Sequence, residues 1–174
     1  MKKGGLYTVL TPDISSTIAE IISTLSERRE TLVTAESMTA GGLSAAITSV
    51  EGSSQIFLGA IVAYQNNVKS EILGIDPSLI DTHSVYSQVI AGEMAQNVRT
   101  RFGATWSIAT TGVAGPGPSD GVPSGTVWVA IDGPISHNLE LSLSGGRESV
   151  RNATVATAIG SFARILRART SEGG

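Results

Sequence analysis

The chain contains no cysteine and only two histidines among 174 residues. Without cysteine there are no disulfides, no Cys-zinc sites and no thiol nucleophile, and the composition fits a reducing compartment, so a cytoplasmic location is expected. Aromatic residues make up 5% of the chain and the formal net charge is -3. Neither the basic field nor the stacking surface that a nucleic-acid partner needs is therefore present. No stretch approaches the roughly 18 apolar residues of a membrane span. The start, Met1-Lys2-Lys3-Gly4-Gly5, is basic, but the apolar run after it is stopped by Pro12-Asp13, too early for a secretory leader. What is left is globular: 41% hydrophobic and 16% charged residues suit one domain with a real core. Residues 1–12 are expected to be a loose N-terminus, 13–169 the domain and 170–174 a disordered tail.

Hydrophobic periodicity orders the chain. Ile14, Ile18, Ile21, Ile22 and Leu25 recur at helical spacing behind the candidate caps Asp13 and Ser15. Thr31 to Ala35 reads as a strand, Gly41 to Val50 as a helix, and Ile56 to Tyr64 as a second strand. A short helix over Asn66 to Leu73 closes at Gly74, and a brief helical turn follows Pro77 near Leu79-Ile80. Ser87 caps a longer helix with Val89, Ile90, Met94 and Val98, ending at Gly103. Strands are expected at Trp106–Ala109, Thr126–Ile131 and Leu139–Leu143, and a last helix at Glu148–Arg167 whose apolar positions exceed what one sheet face obviously needs. Helices interleaved with strands predict a single-domain α/β fold, a three-layer α/β/α sandwich with a mixed, mostly parallel sheet.

Chemistry gathers where strands end. In α/β folds, free backbone N–H groups and positive helix ends meet at those exits. The stretch "TAESMTAGG" places Glu36, Ser37, Thr39, Gly41 and Gly42 at one such junction; its alternative reading is a helix start capped by Ser37 or Thr39. "YQNNVK" follows the second strand. With no cysteine and only His83 and His137 as imidazoles, Lys69 is the leading base for a serine nucleophile. Both histidines read as solvated loop residues, and Tyr64 and Lys69 each have the plain reading of a packing aromatic and a surface lysine. "TTGVAGPGPSDG" has Gly112 and Gly117 at GxxxxG spacing, but Pro118-Ser119 stands where a Walker motif needs Lys-Ser/Thr. This loop is either an anion-binding wall of N–H groups or a Pro/Gly connection. In "SGGRESVR", Arg147 opposes the dipole of the helix it opens, which suits an anion shared with the helix start, while Arg151 reads as a surface residue or subunit contact.

Glu36-Ser37-Met38-Thr39-Ala40-Gly41, Tyr64 with Asn66 and Lys69, Thr111-Gly112-Val113-Ala114-Gly115-Pro116, Gly125-Thr126-Val127-Trp128, and Ser144-Gly145 with Arg147 together resemble the CinA C-terminal domain family, in register from about Ser15 to Arg167. Characterised enzymes of that family are nicotinamide-nucleotide amidohydrolases, or NMN deamidases. The resemblance implies metal-free and cofactor-free hydrolysis of the carboxamide of nicotinamide mononucleotide (NMN), giving nicotinate mononucleotide and ammonia. It also implies Ser37 as nucleophile, Lys69 as its base, and Tyr64, Thr111 and Arg147 as residues that assist catalysis or bind substrate. Glu36, Thr39, Gly41, Gly112 and Gly115 are the accompanying candidates for substrate contact. Homo-oligomers are expected, since family members usually self-associate. The family usually carries Glu-Ser-Cys-Thr-Gly-Gly, so Met38 and Ala40 depart from it, as does Val85-Tyr86-Ser87-Gln88, where Ala-Val-Ser-Glu is commoner. The chain resembles the stand-alone form of the domain. Two other readings stay open: a non-catalytic module that binds a pyridine or ribose-phosphate ligand, and a hydrolase of a different amide.

Overall fold

The computed structural model describes residues 11–171. The first helix, α1 (Pro12–Arg28), is capped not by Asp13 or Ser15 but by Thr11, whose Oγ1 accepts from the Ile14 N–H. Pro12 occupies the first turn, where a missing N–H costs nothing, and Arg29 ends the helix in the left-handed region with φ 55. The remaining elements are β1 (Leu32–Glu36), α2 (Gly42–Thr48), β2 (Phe57–Val62), α3 (Asn66–Glu71), α4 (Pro77–His83), α5 (Gln88–Phe102), β3 (Trp106–Gly112), β4 (Thr126–Asp132), β5 (His137–Ser142) and α6 (Arg147–Ser171). The helical turn expected near Leu79-Ile80 is a seven-residue helix capped by Asp76, whose carboxylate accepts from the Ser78 N–H. That bond holds the Asp76 carboxyl below its usual range. The loose segment expected at 1–12 lies outside the described residues except for Thr11 and Pro12, and α6 continues to Ser171, beyond the expected boundary at 169.

The five strands are ordered β2-β1-β3-β4-β5. β1 pairs in parallel with both β2 and β3, whereas β4 runs antiparallel to β3 and β5. Four strands thus point the same way and only β4 is reversed. Two separate apolar clusters flank the sheet. One joins α1, α2 and α6 through Ile18, Leu25, Leu43, Ile47, Ile159 and Phe162, and the other gathers Ile90, Met94 and Val98 of α5 against Val33, Ala35 and Ala109. This is the three-layer sandwich. Covered on both faces, β1 and β3 are buried along their whole length.

Two expectations change. β3 runs three residues further than the sequence pattern suggested, so Thr110 and Thr111 are buried strand residues rather than the start of a polar loop. The apolar side of α6 is used inside the molecule: Val150, Val155, Ala158, Ile159, Phe162, Ala163 and Leu166 all belong to the core, so it leaves no evident excess for self-association. Large exposed apolar side chains instead include Leu58 and Val62 on the edge strand β2. Among the described residues, no helix is long and apolar enough to cross a membrane.

The strand order sets the place of any site. From β1 the chain moves to β2 on one side and then to β3 on the other, so the β1–β3 boundary is a switch point, where a crevice opens at the strand ends. Ser37, Tyr64 and Val113 lie just past the C-terminal ends of β1, β2 and β3.

Candidate active site

Ser37 is held at that crevice from both sides. Its N–H donates to the Thr110 carbonyl at 2.9 Å, continuing the β1–β3 ladder by one residue, and its own carbonyl accepts from Ala40 N–H at 3.1 Å, closing a tight turn. Glu36 secures the start of α2. Fully buried, its carboxylate accepts from the N–H groups of Leu43 (3.0 Å) and Ser44 (2.8 Å) and from the Ser44 hydroxyl (2.6 Å). It therefore caps α2 from the end of the preceding strand, the favoured place for a negative charge. The cap residue by position is Gly41 at φ 88, with no side chain to offer. Neither Ser37 nor Thr39 caps the helix; Thr39 instead shares a 2.7 Å hydroxyl contact with Thr110.

Lys69 reaches this turn from α3. Its side chain is 1% exposed, and the Nζ donates to Ser37 Oγ at 3.2 Å, to the Ala63 carbonyl at 3.0 Å and to the Tyr64 carbonyl at 3.5 Å. No carboxylate is among these acceptors. Burial pushes the ammonium from its usual 10.5 down to about 8, because the charged form loses hydration that neutral oxygens only partly replace. Desolvation alone accounts for the shift. A serine hydroxyl facing a lysine that is readily neutral near pH 8 has the geometry that a nucleophile and its base require.

A cleft of about 320 Å³ opens in front of the pair, lined among others by Ser37, Met38, Tyr64, Asn66, Lys69, Tyr86, the loop from Gly112 to Ser119, and Arg147. Arg147 is the first residue of α6, and its guanidinium donates to the Gly115 carbonyl at 2.9 Å and to the Tyr64 hydroxyl at 2.6 Å. It thereby ties the exits of β2 and β3 to the start of α6. Arg151, one turn on, is not a surface residue: it is partly buried and donates to the Thr39 carbonyl at 2.8 Å, so α6 also braces the turn after Ser37.

Of the residues singled out from the sequence, Ser37, Lys69, Tyr64, Gly112, Gly115 and Arg147 line the cleft. Glu36, Thr39, Gly41 and Thr111 stand behind it. Thr111 is buried and donates to the Val85 carbonyl at 2.7 Å, fixing the segment between α4 and α5 rather than meeting a ligand. Tyr86 and Ser119 are wall residues that the motifs did not single out as site members; their hydroxyls lie 2.8 Å apart. His83 ends α4 and His137 opens β5, both exposed.

Residues 14–166 match the family model of the CinA C-terminal domain. The chain belongs to the CinA C-terminal domain family. A CinA-like protein of Synechocystis sp. is 41% identical over 156 residues, covering 86% of this chain and 38% of that protein. One of Prochlorococcus marinus strain MIT 9313 is 36% identical over 158 residues, covering 88% of this chain and 37% of that protein. The chain thus spans little more than a third of the length of these relatives. Among solved structures, the competence/damage inducible protein CihA from Agrobacterium tumefaciens has a TM-score of 0.84 at 31% identity, covering 89% of this chain and 96% of that one. A CinA superfamily protein from Enterobacter cloacae reaches 0.86 at 28%, covering 95% and 99%.

Within this CinA C-terminal domain, a second cavity of about 480 Å³ lies between α5 and the β4–β5 hairpin. It is larger than the Ser37 cleft; among the described residues its one hydroxyl–carboxylate contact, Ser136 donating to Asp132 Oδ1 at 2.7 Å, involves a carboxylate already paired with Arg99 at 2.6 Å. Ala40, in the turn after Ser37, sits at φ 49, a left-handed conformation that glycine adopts without strain and alanine does not.

Proposed function

We propose that the chain hydrolyses the carboxamide of NMN to nicotinate mononucleotide and ammonia, with Ser37 as nucleophile and Lys69 as base. One observation carries this reading: a fully buried lysine, unpaired with any carboxylate and lowered to about 8, donates to the hydroxyl of Ser37 at the floor of a polar cleft. In the reactive state the neutral amine takes the Ser37 proton as Oγ attacks the carboxamide carbon. The resulting Lys69 ammonium returns that proton to the leaving nitrogen, ammonia departs, and a nicotinoyl ester remains on Ser37. Water, deprotonated by Lys69, cleaves the ester and frees the carboxylate. For the oxyanion, Ala40 N–H is already committed to the Ser37 carbonyl, so in this reading the other backbone N–H groups of the turn after Ser37 supply the donors.

Arg147 takes the substrate phosphate in this proposal, since its fork can hold two oxygens at the cleft rim. Ammonia release from NMN by the pure protein, with Ser37→Ala as control, tests the reading. Binding of NMN without turnover would support a ligand-binding module instead, and turnover of other amides but not NMN would move the substrate. Self-association is part of the same proposal. Sedimentation at micromolar concentration should give a mass above that of one chain, and a monomer alone would remove it.

A further inference from the structure

We infer that Tyr86, held by Ser119 at its hydroxyl and by Thr111 through the neighbouring Val85 carbonyl, is a specificity-determining wall that receives the flat, positively charged ring of the substrate; this rests on the amidase reading above and names what selects the ring. Among the described residues, Tyr64 and Tyr86 are the aromatic side chains lining the cleft. The two rings are fixed in different ways. Tyr64 is 48% exposed, and its hydroxyl is the acceptor of Arg147 at the rim. Tyr86 is only partly exposed and its hydroxyl meets Ser119 Oγ at 2.8 Å.

Both ends of this contact are anchored. Val85, next to Tyr86, is buried and its carbonyl accepts from Thr111 Oγ1 at 2.7 Å, tying the segment to the end of β3. Ser119 exchanges two backbone hydrogen bonds with Val122, at 3.0 and 2.9 Å, so it sits on a small closed hairpin within the Gly/Pro loop. The phenol therefore bridges two independently fixed walls. Thr111, buried behind the cleft, acts here by positioning the wall.

The cleft's polar ends dictate what meets Tyr86. The carboxamide carbon must reach Ser37 Oγ, and an anionic group is drawn to Arg147, which is fastened to Tyr64 and Gly115. The ring that joins these two groups spans the space between, whose remaining wall is Tyr86 and the loop from Gly112 to Ser119. That wall holds no charged side chain. An uncharged phenol face, rather than a carboxylate, leaves the cation to be attracted by the π system without quenching the electron withdrawal that makes the carboxamide reactive.

The test compares NMN with its reduced form, which keeps the ribose phosphate and the carboxamide but has a neutral, non-aromatic ring. Both binding, by calorimetry on Ser37→Ala, and turnover, by ammonia release from the wild-type background, are measured for Tyr86→Leu and Tyr86→Phe. Tyr86→Leu should weaken NMN binding and raise its KM about three- to tenfold, with kcat changed little, while reduced NMN is affected far less. Tyr86→Phe, which keeps the face, should retain most NMN affinity. Equal losses for the two nucleotides, or an unchanged NMN affinity in Tyr86→Leu with ammonia release intact, would overturn the wall and leave the amidase reading standing. Selective NMN binding lost in Tyr86→Leu without any ammonia release from the wild type would do the reverse. Failure of both nucleotides to bind overturns the wall as well.

Discussion

Replacing Lys69 by methionine should abolish amide hydrolysis and yet stabilise the fold near neutral pH. The ammonium is displaced from 10.5 to about 8 by burial, and that difference corresponds to about 3 kcal/mol of penalty on the charged form. The sign follows from proton linkage. Because the folded pKa lies below the unfolded one, the unfolded chain holds more protons between about 8 and 10.5, so stability rises with pH through that window. Below pH 8 the full penalty is present. Methionine has a similar length and no charge, but it leaves the Ala63 carbonyl without its donor, which costs about 1 kcal/mol. The net gain at pH 7 should be about 2 kcal/mol, shrinking to nothing or reversing near pH 10. Urea melts of wild type and Lys69→Met at pH 7 and 10 measure it, provided the denaturant slope is unchanged. The same pKa predicts that kcat/KM of the wild type rises with pH and levels off above about 8. At pH 7 about a tenth of the lysine would be neutral, roughly 300 times more than for an unshifted lysine. A Lys69→Met protein less stable than wild type at pH 7, together with activity flat between pH 6 and 9, would refute the buried-base account.

Ser37→Ala and Lys69→Ala should each remove most turnover, and the double variant should be little worse than either, because the pair acts as a unit; additive losses in single-turnover ammonia release would separate them. Arg147→Ala should lower kcat/KM for NMN about ten- to hundredfold and for the phosphate-free riboside much less, since a charge-assisted contact is worth about 1.5–3 kcal/mol. Equal losses on both would instead place Arg147's effect in the Tyr64 and Gly115 contacts that it makes. Ala40→Gly relieves a left-handed alanine in the turn after Ser37 and should raise stability by about 0.5–1 kcal/mol after the entropy cost of glycine, read from the urea midpoint. A lowered midpoint would mean that the turn gains more from the Cβ than it loses.

The sequence alone determined the layers and the chemical alphabet. Period-3.6 apolar positions located α1, α5 and α6, because burying one helix face is a local pattern, and the short link between β4 and β5 required an antiparallel pair. The polar residues just past the ends of β1 and β2, with no cysteine available, already nominated Ser37 and Lys69. Beyond the reach of the sequence lay everything set by which strands are neighbours. Ser37 and Lys69 are 32 positions apart, and they meet only because β1 and β2 pair in parallel and release their chains at the same edge. Lysine looks like a surface residue in any local window. Its burial, and hence its lowered pKa, exists only once α3 folds back over the end of that pair. The family resemblance puts Thr111 in the site and a polar residue type at a strand exit puts Glu36 there, whereas strand register turns one toward Val85 and capping turns the other toward α2. Tyr86, visible in the sequence only as part of a departure from the family pattern, and Arg151, which reads as a surface residue or subunit contact, take their places from contacts 33 and 112 residues away.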